Sequence, residues 1–191
     1  MAGNEAVEGV EVLALEEHVD YWDYIGWKDP FSSPLFSRRQ ADYQPAFGRS
    51  RNYTPQMVID GRSELPGGEE QQARATIAAA ARQQKGSLSL ERKGDKLFIK
   101  ASGLPPRDEP AEVILAIVES GLVSKVERGE NEGRTLLHAP VARSLRSVGA
   151  VTAAAKDASL SAELLPLKAN QRVLVFIQGT RTRRVMAASI L

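Results

Sequence analysis

Cysteine is absent from all 191 positions. Disulfides, thiolate metal ligands and cysteine nucleophiles are therefore excluded together. Either redox compartment suits such a chain. Charge of one sign is also missing. Lys+Arg number 25 against 24 Asp+Glu, for a net charge of +1. No long single-sign block occurs, so neither nucleic acid nor an acidic membrane surface is expected as a partner. No apolar run approaches the ~20 residues that span a bilayer, so no membrane span is expected. Met1 to Gly9 are polar and acidic, without a basic segment followed by an apolar one, so no signal peptide is expected in this chain. What remains is ordinary globular composition, 42% hydrophobic and 26% charged, of a length for one large domain or two small ones.

Aromatic residues are scarce, at 6%, and unevenly placed. The stretch from His18 to Trp27 holds both tryptophans, two of the four tyrosines and one of the two histidines. Asp20 and Asp23 are interleaved with the rings. Val10 to Leu15, just upstream, reads as a short buried strand, and Lys28-Asp29-Pro30 as a turn. The cluster is thus expected at a strand end, the edge at which open α/β sheets bind ligands.

Downstream, Ser33-Pro34 reads as a helix start with Ser33 as N-cap. Phe36, Gln40, Tyr43 and Phe47 follow at helical spacing, Pro45 bends or ends the last turn, and Gly48 is the stop. Gln56 to Ile59 and Arg62 to Leu65 form a hairpin across Asp60-Gly61, a pair suited to the positive φ values of a type I′ turn. Glu69 to Lys85, rich in Ala and Gln, reads as a helix on propensity and dipole grounds. After Gly86 short strands take over, at 87–90, 97–101, 112–119, 122–127 and 159–165. A mixed, extended segment covers 136–148, and 129–133 reads as an exposed loop. A final hairpin, 172–178 with 184–190, carries Arg181 to Arg184 at a solvated tip. Seven or eight short strands with polar turns suggest a β-sandwich. The domains are accordingly placed at 1–86 and 87–191.

Thr54-Pro55 ahead of Gln56-Met-Val-Ile-Asp-Gly61 resembles the thioredoxin-fold signature, in which a Thr-Pro bond, usually cis, leads into an apolar strand and an Asn/Asp-Gly hairpin. On the local residues alone, a trans proline entering a strand reads equally well. A longer set of residues carries a more specific resemblance: His18-Val-Asp-Tyr-Trp-Asp-Tyr-Ile-Gly-Trp-Lys-Asp-Pro-Phe31, Ser37-Arg-Arg-Gln40 and Tyr53-Thr-Pro-Gln-Met-Val-Ile-Asp-Gly61. Together they look like a bacterial secreted thioredoxin-like family with no assigned function, and the match covers nearly the whole chain. It implies an α/β thioredoxin-like domain, truncated at its N-terminus, followed by an all-β sandwich-like domain. It also implies a periplasmic or secreted location, against a cytoplasmic one if Met1 is the true start. Family members begin with a signal peptide, a strand and a Cys-x-x-Cys helix; this chain begins where that helix would be ending. Glu16 and Glu17 stand where the family has small or apolar residues.

The expected role is binding of a peptide or protein, or a structural one, by a chain that is itself redox-inert. The candidate cleft is His18, Asp20, Tyr21, Trp22, Asp23, Trp27, Thr54 and Pro55. The alternative is a thiol-disulfide oxidoreductase whose cysteine-containing N-terminus lies outside this chain. No catalytic set is expected: no serine lies in a nucleophile-elbow pattern, and the glycine pairs lack phosphate-loop spacing. No cofactor or metal is expected. His18, Asp20 and Asp23 could converge on an ion, but Asp20 and Asp23 read better as caps of local amides or partners of Arg38 or Arg39, and His138 lies far away in sequence. Trp22 is expected to be buried in packing rather than open in a ligand cleft. A bare sheet edge with Val10, Val12, Val58 and Ile59 invites a homo-oligomer.

Overall fold

The computed structural model describes residues 7–128 and 132–191. Strand alternation explains most of it. In one hairpin, β3 (Ser87–Lys93) and β4 (Lys96–Ser102), Leu97, Ile99 and Ala101 point inward while Lys96, Phe98 and Lys100 point out. That is the period-2 pattern of a sheet with one wet face. By contrast β5 (Ala111–Glu119) and β10 (Gln171–Gly179) are apolar almost throughout and buried on both faces. Such strands need cover on two sides.

The topology supplies that cover. Antiparallel β11 (Val185–Ile190), β10, β5 and β8 (Val141–Val151) form a four-stranded sheet in that order, and β3, β4 and β9 (Ala158–Glu163) a three-stranded one. Val113, Leu115, Val173, Val175 and Ile177 face Leu97 and Ile99 in one core between the sheets. On the opposite face of the four-stranded sheet, Ile114, Ala116, Val118, Leu174 and Phe176 form a second buried cluster. Leu13 and Leu15 pack against it. Two further pairs are small: β6 (Val123–Lys125) with β7 (Thr135–Leu137), and β1 (Gln56–Ile59) with β2 (Ser63–Pro66).

Helix α1 (Pro34–Phe47) also lies over the second cluster. Ser33 caps it, its Oγ accepting from Leu35 N at 3.2 Å, and Gly48 ends it at φ 62°. The helix runs through Pro45 and stops two residues later. Its buried Arg39 sits over the Phe176 ring at 5.3 Å and pairs with Glu17 at 2.9 Å. Tyr43 Oη accepts from Gln178 Nε2 at 2.8 Å. Helix α2 (Glu70–Ala81) ends four residues before Lys85. Lys85 instead reaches back to Ala80 O at 3.1 Å and to Asp60 at 2.7 Å.

These arrangements correct the expected fold class. Among the described residues there are eleven strands against two α-helices and one 3-10 turn, so the chain is mostly β. An α/β thioredoxin-like domain followed by an all-β sandwich-like domain is not what it forms. Val10 to Leu15 has the composition of a strand but joins no sheet. Val10 makes an isolated bridge with Val7, and Glu16, just past the segment, one with Val141, while Leu13 and Leu15 cover the four-stranded sheet. The β1–β2 pair stays a lone antiparallel hairpin with no parallel neighbour. Its turn holds Asp60 at φ 50° and Gly61 at φ 61°. The turn docks on the last hairpin, where Val185 N donates to Asp60 O at 2.8 Å. The Arg181–Arg184 tip keeps Arg181 and Arg184 exposed, as expected, but is also anchored. Arg183 pairs with Asp42 of α1 at 3.1 Å, and the buried Glu109 accepts from Arg181 N at 2.5 Å and Thr182 N at 3.1 Å. The 129–133 loop falls largely outside the described residues. No helix among them is long and apolar enough to cross a membrane.

Candidate functional site

The aromatic-acid stretch is a loop pinned by its own acids. Asp23 opens the 3-10 turn Asp23–Ile25, which Gly26 closes at φ 103°. Asp23 Oδ1 accepts from Asp29 N at 3.2 Å and its Oδ2 from Ser32 Oγ at 2.7 Å. Asp29 Oδ1 accepts from Phe31 N at 2.8 Å. Asp20 Oδ1 accepts from Ser37 Oγ at 2.5 Å, and Asp20 N donates to the same hydroxyl at 3.0 Å. Three residues further along α1, Gln40 accepts from Tyr21 Oη at 2.7 Å and donates to Tyr53 O at 2.9 Å. One face of α1 therefore ties this loop to the segment that enters β1. Neither arginine expected as a partner of these acids pairs with them among the described residues: Arg38 is exposed and Arg39 is paired with Glu17.

Trp22 is not buried, contrary to the expectation. It is 47% exposed, with Tyr24 at 78% and Ile25 at 48%. Its indole Nε1–H donates to Thr54 Oγ1 at 3.0 Å. The Tyr24 ring stacks on it at 6.4 Å and 27°, and the Tyr21 ring lies tilted against it at 5.6 Å. The Thr54–Pro55 peptide is cis. Of the eight cleft residues inferred from sequence, Tyr21, Trp22, Thr54 and Pro55 come together at this surface. Asp20 and Asp23 serve beneath it as loop pins. Trp27 is half-buried and makes no ring contact or side-chain hydrogen bond among the described residues.

His18 belongs to a different group. Its Nδ1 meets Asp29 Oδ2 at 2.7 Å and its Nε2 meets Glu16 Oε2 at 3.2 Å. The same Glu16 oxygen lies 3.0 Å from Nδ1 of His138, whose Nε2 bonds the buried Ser124 hydroxyl. Glu16 Oε1 accepts from Ala139 N at 2.9 Å. The two imidazoles meet edge-on at 5.0 Å, and Phe31 closes against both at 5.6 and 5.3 Å. The side chains of His18 and His138 are 14% and 8% exposed, and that of Glu16 is 36% exposed. Burial disfavours a charged His18, but Asp29 and Glu16 outweigh it and push its pKa up to about 9. Burial likewise opposes ionisation of Glu16 and Asp29, and their hydrogen bonds reverse that and hold both carboxyls below the usual range.

Ligand-type atoms of Glu16, His18 and His138 all lie within 4.8 Å of one another. The structure does not bring His18 together with Asp20 and Asp23, which pin the loop, but with Glu16 and His138. His138 reaches His18 through the Glu16–Val141 bridge, where Glu16 N donates to Pro140 O at 2.8 Å and Ala142 N to Glu16 O at 2.9 Å. The local signal was Glu16 itself, an acid directly after an apolar run. Nothing local points to His138, 122 residues away.

No curated protein matches this chain. A solved structure of an Agrobacterium tumefaciens protein is similar to it, with a TM-score of 0.72 and 24% identity over 93% of this chain and 78% of that one. At that identity the likeness shows the fold alone. Superoxide reductase from Nanoarchaeum equitans aligns at a TM-score of 0.28 and 10% identity over 56% of this chain and 90% of that one, too low to carry a shared fold. A family model matches residues 2–178, nearly the full length, and the chain belongs to that family, DUF1223, proteins of unknown function.

Proposed function

We propose that this chain is a peptide- or protein-binding module whose contact surface is the Tyr21–Trp22–Tyr24 face beside Thr54–Pro55. The observation that carries the reading is the exposed, mutually stacked Trp22–Tyr24 pair, held in place by the Trp22–Thr54 hydrogen bond. Large rings cost water-exposed apolar area, and tryptophan and tyrosine are the side chains that most often dominate binding interfaces. Here they are fixed rather than loose, which lowers the entropy lost on binding. Two further features support it. Ile25 extends the apolar face. In its sheet β1 pairs with β2 alone, so its other edge can accept an extended segment by main-chain hydrogen bonds.

Selection of random linear peptides on the immobilised protein, followed by hydrogen exchange of the best complex, tests this. The reading expects protection gathered at residues 21–25 and 53–59. Selected peptides that protect a different surface, or no peptide better than the unselected pool, would overturn it.

A further inference from the structure

We infer that Glu16, His18 and His138 form a binding site for a single divalent transition-metal ion of the zinc class, independent of the aromatic surface. The three side chains present two imidazole nitrogens and one carboxylate oxygen, the donor set that suits zinc and its neighbours rather than calcium or magnesium. The atoms that converge are His18 Nε2, His138 Nδ1 and Glu16 Oε2, at 3.2 and 3.0 Å across the two pairs that share the carboxylate. A tetrahedral ion with ligands at about 2.1 Å holds its ligand atoms roughly 3.4 Å apart. The two pairs that share the carboxylate need to open by only a few tenths of an ångström to admit it, and the three donor atoms already lie within 4.8 Å of one another.

The atoms that face away from that point are each already engaged. His18 Nδ1 is held by Asp29 Oδ2 at 2.7 Å, His138 Nε2 by the Ser124 hydroxyl, and Glu16 Oε1 by the Ala139 N–H at 2.9 Å. A metal-bound histidine donates its other ring N–H to just such a partner, which fixes tautomer and ring orientation. Asp29, in turn, is fixed by Phe31 N. Phe31 packs both rings edge-on and excludes water from that side. In the metal-free form one carboxylate oxygen serves two imidazoles. Both histidines of the chain are used. The exposed side of Glu16 leaves a fourth position open to water or an exogenous ligand, as at three-ligand zinc sites.

The test is titration of chelator-treated full-length protein with Co²⁺ and Zn²⁺. The inference expects one equivalent bound per chain at micromolar or lower concentration. It also expects Co²⁺ visible bands of four- or five-coordinate nitrogen–oxygen ligation and a melting temperature raised by Zn²⁺. His18→Ala and His138→Ala should each weaken binding by at least about 100-fold, and Asp29→Asn by about 10-fold or more, as outer-shell partners do. Asp108→Asn, at an exposed carboxylate paired with Arg181, should bind as the wild type does. Should the histidine variants not fold, the wild-type stoichiometry and Co²⁺ spectrum decide alone. Wild-type protein that takes up no equivalent of either ion at 100-fold excess, or Co²⁺ binding with a fully hydrated six-coordinate spectrum, would overturn the site. So would undiminished binding by folded His18→Ala or His138→Ala.

Discussion

Glu16 Oε2 lies 3.0 Å from His138 Nδ1, joining residues 122 positions apart. The bond closes the N-terminal segment onto the β7–β8 connection, and the parallel Glu16–Val141 bridge aligns the two backbones beside it. In the metal-free protein Glu16→Ala loses the contacts to His18, His138 and Ala139 N together. With the side chain partly exposed, a cost of about 1–3 kcal/mol is expected from urea denaturation. An unchanged midpoint would mean the bond is incidental.

His18 gives the metal-free protein a defined pH response. Its folded pKa of about 9 lies above the ordinary imidazole value of 6.5, so the folded state holds the proton more tightly than the unfolded one. That stabilisation is complete below about pH 6.5 and is lost as pH rises through about 9. Stability measured in chelator should fall across that window, and the His18 ring resonances should titrate near its upper end. Titration near 6.5 would contradict the Asp29–His18–Glu16 arrangement.

Glu109 responds in the opposite direction. Burial opposes its charge, but the Thr182 hydroxyl and the amides of Arg181 and Thr182 outweigh burial and lower its pKa. Its contribution is present above the unfolded pKa of about 4.3 and is lost as pH falls through the lower folded value. Glu109→Gln should cost about 1–3 kcal/mol at pH 7 and flatten the acid limb of the stability curve. A parallel acid limb in the variant would assign that limb to other carboxylates.

Gly61 is the most constrained glycine among the described residues. It sits at φ 61°, and a Cβ built there would lie 1.7 Å from Arg183 O. The atom it meets is backbone, so no side chain can swing away. Gly61→Ala should cost about 3 kcal/mol or more, above the ordinary glycine penalty of about 1 kcal/mol. Gly94, at the same φ with open space around it, should lose only about 1 kcal/mol on the same change. Equal costs at both positions would show that the β1–β2 turn does not dock on the last hairpin.

What the sequence made legible was local. The Ser33–Pro34 start and Gly48 stop of α1, the Asp60–Gly61 turn and the alternation of Leu97, Ile99 and Ala101 each follow from a residue's own conformational or burial preference. What was not legible depended on partners. Val10 to Leu15 has strand composition, but composition does not say whether a strand pairs or merely lays Leu13 and Leu15 on another sheet. That difference turned an expected α/β domain into a mostly β molecule. Trp22 looked like core because it is large and apolar. Thr54, 32 residues away, instead offered its indole N–H a hydrogen bond at the surface. Glu16 and His138 could be joined only once the order of strands around β8 was known.

The binding surface is the central claim, and Trp22→Ala tests it most directly when stability and affinity are measured on the same preparation. A ring 47% exposed with one hydrogen bond should cost only about 1 kcal/mol of unfolding free energy, against about 3–5 kcal/mol for a buried one. Calorimetric affinity for a selected peptide should fall by about 30-fold or more, the mark of an interface anchor. A large loss of stability with affinity retained in the folded fraction would contradict the account and return Trp22 to a packing role.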